Sequence, residues 1–194
     1  MSKNIWVISD LHYNHANILT FIDYKGKRTR VFDTVDQMNE FLIDRWNSVV
    51  KPGDIVYHLG DTFFGDPEKF KKDWPKFNGS KRLLIGNHDD IRFLSNGGFF
   101  KKTLFWRMFI EHGLIFHHVP LHPMSLFRGK DLDKPLFQVH GHIHRNTSPL
   151  GPYRNVCVEV TDYTPVHIDQ LKAEAKEYME NQWEIDSKLF KSIG

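Results

Sequence analysis

Five short apolar runs in this chain each stop at a cluster of aspartate, asparagine or histidine, and that repeated ending constrains the fold more than any other feature. Ile5–Ser9 runs into Asp10-Leu11-His12, Ile55–Leu59 into Gly60-Asp61, and Arg82–Ile85 into Gly86-Asn87-His88-Asp89. Leu114–Phe116 precedes His117-His118, and Leu136–Val139 precedes His140-Gly141-His142-Ile143-His144. Runs of four or five apolar residues read as buried strands. In open α/β sheets the loops beyond the carboxyl ends of strands converge on one ligand site. Five polar endings of this kind are what a shared site requires.

Helical patterns separate the early runs. Thr34–Val50 has apolar residues at helical spacing, with Thr34 and Gln37 placed as a capping box. Asn14–Phe21 predicts a brief helix, Pro67–Phe77 a polar helix ending near Pro75, and the stretch after Asp89 a short helix closed by Gly97-Gly98. Later, Thr103–Ile110, Val156–Val160 and Val166–Ile168 predict strands, and Asp169 to about Trp183 a terminal helix. Strand–helix alternation followed by mainly strands predicts an α/β layered domain with more than one sheet. No repeat, linker or low-complexity tract divides residues 1–194, which read as a single domain.

The polar endings are unusually rich in imidazole: the chain has 12 histidines and one cysteine, Cys157. Asp, His and Asn without thiolate suit divalent cations such as Mn²⁺, Fe²⁺ or Zn²⁺ with open coordination positions. Asp10/His12 and His142/His144 sit at i and i+2, so on extended backbone each pair would project to one side. A carboxylate such as Asp61 has lone pairs enough to bridge two cations. A lone cysteine excludes an intrachain disulfide and suits a reducing cytoplasm. No apolar run approaches a membrane span or a secretory signal, so a cytoplasmic location is expected. The net charge of +2 is too small to argue for polyanion binding by itself.

In this order, Asp10-x-His12, Gly60-Asp61, Gly86-Asn87-His88-Asp89, a later isolated histidine and Gly141-His142-x-His144 resemble the calcineurin-like metallophosphoesterase superfamily. His15-x-Asn17-Ile18 and the stretch Asn155–Tyr163 resemble a subgroup of small bacterial and phage phosphoesterases. The resemblance implies a four-layer α/β sandwich: two mixed β-sheets flanked by α-helices, with the metals at one end. It implies one cation on Asp10, His12, Asp61 and His144, and a second on Asp61, Asn87, His118 and His142. His88 would touch substrate beside them, with Asp89 orienting its ring. His118 is preferred to His117 because Val119-Pro120 follows it as in the subgroup, and strand neighbours point to opposite faces.

The expected activity is phosphoester hydrolysis dependent on two divalent cations, Mn²⁺ foremost with Fe²⁺, Zn²⁺ or Ni²⁺ as alternatives. A hydroxide bridging cations about 3.5–4 Å apart would be the nucleophile. The expected substrate is a phosphodiester in a nucleotide or at a nucleic-acid end; a phosphomonoesterase or phosphoprotein phosphatase, or a catalytically silent scaffold of the same fold, are the alternatives. No obligate protein partner is evident. His15 and His122 are further candidates for substrate contact, weighed against helix-capping and loop roles. His58 and His140 read as core histidines, and His112 and His167 as surface ones. Arg28 and Arg30 read as exposed arginines with nothing tying them to the cleft, Asp162 and Tyr163 carry no chemical role, and Phe99–Phe109 reads as core.

Overall fold

The computed structural model describes residues 3–23, 25–127 and 135–191. In chain order the elements are β1 (Ile5–Ile8), α1 (Val35–Val49), β2 (Ile55–His58), α2 (Pro67–Asp73), β3 (Ser80–Leu84), α3 (Ile91–Asn96), β4 (Lys102–Leu104) and β5 (Trp106–Phe109). They continue with β6 (Leu114–His117), β7 (Phe137–His140), β8 (Tyr153–Asn155), β9 (Val166–His167), α4 (Ile168–Asn181) and α5 (Trp183–Lys191). Among the described residues the strands form two mixed sheets, ordered β4-β3-β2-β1-β9 and β5-β6-β7-β8. In the first, β1 to β4 are parallel and β9 is antiparallel; in the second, only β5 runs antiparallel. The protein is thus an α/β sandwich of two mixed sheets flanked by helices.

Side-chain alternation explains the layering. On the first sheet Ile8, Val56 and Leu83 join Met38, Leu42, Trp46, Phe70 and Leu94 in one core under the helices. The opposite positions, Val7, Tyr57 and Leu84, meet Leu114, Phe116, Phe137 and Val139 of the second sheet. Leu171 and Ala175 of α4 close this inter-sheet core. The outer face of the second sheet alternates in polar residues such as His117 and Gln138. It supports only a small cluster of Ile115, Leu126 and Leu136 under the 3₁₀ turn Pro123–Leu126.

Local chemistry sets the element ends. Thr34 Oγ1 caps α1 by accepting from Gln37 N at 3.1 Å, and Gln37 Oε1 accepts from Asp33 N at 2.8 Å, one residue before the expected partner. Asp66 and Asp90 cap α2 and α3.

Two expectations need correction. Thr103–Ile110 is not one strand: it breaks at Phe105 into β4 and β5, which belong to different sheets. Val156–Val160 is not a strand despite its β-propensity. Val156 and Cys157 bridge the two sheets through Val156 N to His140 O and Ser9 N to Val156 O, and Val158–Val160 then turns as a 3₁₀ helix. That turn drives Glu159 inward, where a buried arginine holds it. The strand lies just upstream, at β8. The brief helix expected over Asn14–Phe21 is present as the 3₁₀ turn Ala16–Thr20. None of the helices among the described residues is long and apolar enough to cross a membrane.

Candidate metal centre

Register brings the polar endings to one level. Ile8 pairs with His58 and His58 with Leu83, so the chain beyond each strand emerges side by side. The alignment persists past the strands: Asp10 N bonds Gly60 O and His12 N bonds Asp61 O, both at 3.0 Å. In the second sheet Phe116 pairs with Val139, and Gly141 N bonds His118 O at 2.8 Å. The two levels meet where His142 N donates to Asp10 Oδ2 at 2.9 Å. Such close approach needs glycine: a Cβ on Gly141 would lie 2.0 Å from Ser9 Oγ, and one on Gly86 2.2 Å from Asp61 Oδ1.

The backbone at the site departs from the extended form expected of i, i+2 pairs. Asp10, His12, Asp61, His142 and His144 all have positive φ, between 45° and 72°. Non-glycine residues in this region are uncommon, though Asp and His are enriched there. Each costs about 1–3 kcal/mol and is held only where surroundings over-determine it. The pairs converge because the chain kinks at each ligand, not because a strand alternates.

The side chains form two groups of potential ligands, Asp10, His12 and His144 in one and Asp61, His118 and His142 in the other. Asp61 also reaches the first group: its Oδ2 lies 3.5 Å from His118 Nε2 and 3.6 Å from His12 Nε2. Its Oδ1 is occupied, accepting from His88 N at 3.0 Å. Asn87 Oδ1 stands 2.9 Å from His118 Nε2 and 2.8 Å from His142 Nδ1, completing the second group. His118 is buried and turned to this centre, whereas His117 Nδ1 meets the backbone of Val119.

The donor set fits divalent cations. Asp10 Oδ1 and His12 Nε2 are buried without a hydrogen-bond partner, a state costing about 1–3 kcal/mol per group unless something else satisfies it. They stand 3.7 Å apart, a spacing two donors adopt around one shared cation with bonds of about 2.0–2.2 Å. Burial opposes the charge on His118, but its hydrogen bond to Asp61 and the charges of Asp10 and Asp61 lift its pKa to about 9. For Asp10, burial is outweighed by His12, His118 and His144, which hold the carboxyl well below its usual range. Asp10, Asp61 and several imidazoles thus share one desolvated space.

Beneath the ligands lies a support that the sequence did not reveal. Arg30, expected on the surface, is fully buried and pairs with Glu159 at 2.8 Å. Its other nitrogens donate to the carbonyls of Leu11 at 2.7 Å and Asp10 at 2.5 Å. Glu159 Oε1 also meets His144 Nδ1 at 3.0 Å, which turns the other ring nitrogen toward the first group. Burial raises the Glu159 carboxyl, but Arg30 and His144 bring its pKa down to about 2. An arginine followed 129 residues later by its glutamate leaves no local pattern to read.

Asp89 is also corrected. Both its oxygens accept backbone N–H groups, from Thr62 at 2.8 Å, Gly86 at 2.8 Å and Asp61 at 3.1 Å. It therefore staples the Asp61 turn to the Gly86 turn, and its hydrogen bonds among the described residues go to backbone N–H groups, not to the His88 ring. His88 is exposed at the rim, its ring 6.0 Å from that of His12 and 5.3 Å from Phe64. His15 stacks on Phe64 at 4.0 Å and its Nδ1 lies 3.3 Å from His12 Nδ1, so it borders the site. Burial, then the neighbouring charges, bring its pKa down to about 4. His122 is not drawn in: exposed, it accepts from Met124 N at 3.3 Å and caps the 3₁₀ turn.

The remaining histidines mostly follow expectation. His140 is buried, bonded to Gly141 O and Ser148 Oγ. His58 is buried but only half satisfied, since Nδ1 accepts from Gly60 N while Nε2 has no partner. His167 caps α4. Asp162, given no role, is ion-paired with Arg45. In the Phe99–Phe109 stretch Phe109 is core, yet Phe105 and Trp106 are exposed.

Fold and site together define a two-sheet α/β sandwich with paired Asp/His groups, at one end, that could hold metal ions. The chain is 33% identical over 180 residues to the uncharacterized protein MJ1445 of Methanocaldococcus jannaschii, spanning 86% of this chain and 88% of that protein. It belongs to the same family as that protein. It is also 30% identical over 116 residues to the gene 66 protein of Mycobacterium phage L5, covering 57% of this chain and 51% of the phage protein. Among solved structures, the protein of unknown function AQ665 from Aquifex aeolicus shares the fold, with a TM-score of 0.63 and 24% identity over 89% of this chain and 99% of that one. No protein-family model matches the chain.

Proposed function

We propose that this chain is a calcineurin-like metallophosphoesterase, a hydrolase of phosphodiesters in nucleotides or at nucleic-acid ends. The observation that carries the reading is the position of Asp61 Oδ2, 3.6 Å from His12 Nε2 on one side and 3.5 Å from His118 Nε2 on the other. A single carboxylate oxygen shared by two ligand groups suits a pair of cations better than two separate ions. Asp10, His12, Asp61 and His144 would hold one, and Asp61, Asn87, His118 and His142 the other, with Mn²⁺ the first choice for this donor set. Bound there, the cations would lower the pKa of water toward neutrality and neutralise charge developing on the phosphoryl oxygens.

The chain's own residues do the rest. Asp89 and the Arg30–Glu159 pair fix the ligand turns, so little reorganisation is left for the moment of reaction. His88 stands exposed at the rim, where its ring can donate a proton or a hydrogen bond to a departing alkoxide. Phe64 and His15 wall one side and limit how substrate enters.

The test is a panel of bis-nitrophenyl phosphate, nitrophenyl phosphate and 2′,3′-cyclic nucleotides, assayed with Mn²⁺, Ni²⁺ and Zn²⁺ and after chelation. Hydrolysis of the diesters that disappears with chelator and returns with Mn²⁺ is expected. Activity that survives exhaustive chelation, or complete inertness with all three metals, overturns the proposal.

A further inference from the structure

The break at Phe105 leaves β4 and β5 as neighbouring edge strands of two different sheets. Between them opens a groove of about 370 Å³ lined by Tyr57, Arg82, Lys102, Trp106 and Arg107 among others, with no carboxylate in its wall. Tyr57, Arg82 and Lys102 stand in one row of register across β2, β3 and β4. Arg82 lies over the Tyr57 ring at 5.1 Å and donates to its hydroxyl, while Arg82 Nε is buried without a partner. Arg107 lies over Phe109 at 4.6 Å.

None of these three cations makes an ion pair among the described residues. Arg30, Arg45, Arg154, Lys69, Lys71 and Lys76 all do. Other cations, such as Lys51 and Arg92, also stand without an ion pair among the described residues; what sets this groove apart is that three such cations share one wall with no carboxylate. Beside them Phe105 is 65% and Trp106 57% exposed. A cationic groove with exposed aromatics is the pattern that binds unpaired nucleic-acid strands, phosphates on the cations and bases on the rings. One end of the groove lies close in register to the candidate metal groups. Trp106 pairs with His117, next to His118, and Ile85 N bonds Leu104 O two residues before Asn87.

We propose that this edge groove binds a single-stranded nucleic acid, with Arg82, Lys102 and Arg107 facing its phosphates and Trp106 stacking on a base. That the strand is a substrate passing toward Asn87 and His118 rests on the phosphoesterase reading; the binding itself does not. Small net charge is no obstacle, because the attraction comes from local charge that neighbouring acids leave uncancelled.

The experiment is fluorescence anisotropy of a fluorescein-labelled oligothymidylate titrated with the full chain in EDTA, so that no bound metal contributes. Wild-type protein is expected to bind with an affinity that falls steeply with salt. The K102E/R107E double variant, altered only at exposed positions, should weaken binding by about tenfold or more and flatten the salt slope by roughly 1.4, about 0.7 for each lost phosphate contact. Trp106→Ala should weaken binding by about tenfold with the slope unchanged. No binding by wild type at low salt, charge-reversed protein that binds as wild type does, or a duplex bound as tightly as the single strand overturns the inference. So does binding insensitive to Trp106→Ala, which would mark a general polyanion surface. Wild-type protein that binds the strand yet hydrolyses none of the esters supports the groove and removes the phosphoesterase reading; the reverse result removes the groove alone.

Discussion

Arg30 and Glu159, 129 residues apart, form a fully buried ion pair at 2.8 Å beneath the carbonyls of Asp10 and Leu11. Removing one partner leaves an uncompensated charge in a desolvated space, which costs about 3–5 kcal/mol. Arg30→Met should therefore lower the unfolding free energy from urea titrations by that amount while the Glu159 carboxylate remains. An Arg30→Met/Glu159→Leu double variant should recover part of the loss. Equal unfolding midpoints for wild type and Arg30→Met would show that the pair bears no part of the fold.

Glu159 also sets the ring of His144, at 3.0 Å. Glu159→Gln should weaken Mn²⁺ binding by about 10–100-fold, the usual effect of losing such a support. The weakening should fall on one of two calorimetric binding events, leaving the group of Asp61, His118 and His142 near its wild-type affinity. Asp61→Asn, by contrast, should weaken both events, because its Oδ2 faces both groups.

His88 is exposed and touches none of the ligand nitrogens within bonding distance, so His88→Asn should retain two Mn²⁺ per chain. On the proposed reading, the rate should drop by about 10²–10⁴-fold on alkyl esters and much less on nitrophenyl esters, whose leaving groups need no proton. Parallel losses on both ester types would assign His88 to binding instead.

The strand endings were legible because two independent signals coincide there: an apolar run and a sudden Asp, Asn or His. That coincidence marked the endings that contain Asp10, His12, Asp61, Asn87, His118, His142 and His144, the resemblance to metallophosphoesterases singled those seven out, and the folded chain gathers them. Arg30 was not legible, since a buried arginine has the same local surroundings in sequence as an exposed one. For Asp89 the resemblance implied contact with the His88 ring, whereas turn geometry sends its carboxylate to backbone N–H groups. Val156–Val160 misled because β-propensity reports fit to a half-buried sheet surface, and here the competing demand was to place Glu159 against Arg30. The break at Phe105 left no mark, because edge strands of different sheets have the same composition as one long strand.

Away from the site, Asp73 offers a pH test of stability. Burial raises its carboxyl, but Lys76, Tyr13 and Lys69 together bring the pKa from 3.8 to about 2. A carboxyl depressed in the folded chain stabilises it above pH 3.8, and the benefit is lost as pH falls toward 2. Asp73→Asn should thus cost about 1 kcal/mol at neutral pH, discounted because both lysines reach solvent. The two proteins should converge in stability below about pH 2; a gap independent of pH in urea titrations would mean that charge is not the cause.

Gly141 sets the distance between the two sheets at their working end. Gly141→Ala would place a methyl 2.0 Å from Ser9 Oγ and 2.3 Å from Asp10 Oδ2. Overpacking of this kind costs about 1–3 kcal/mol, and the displacement should separate His142 from Asp10, so Mn²⁺ stoichiometry should fall together with thermal stability. A variant that loses stability but still takes up two cations would show that the His142 turn moves independently of β1.

The left-handed torsions at five ligand positions have a further consequence for how this chain can change over time. Glycine at Asp10, His12, Asp61, His142 or His144 would relax the backbone while deleting a donor, so drift toward a sturdier molecule runs directly through loss of the centre. On the proposed reading, a relative that no longer held the cations would be free to take those glycines.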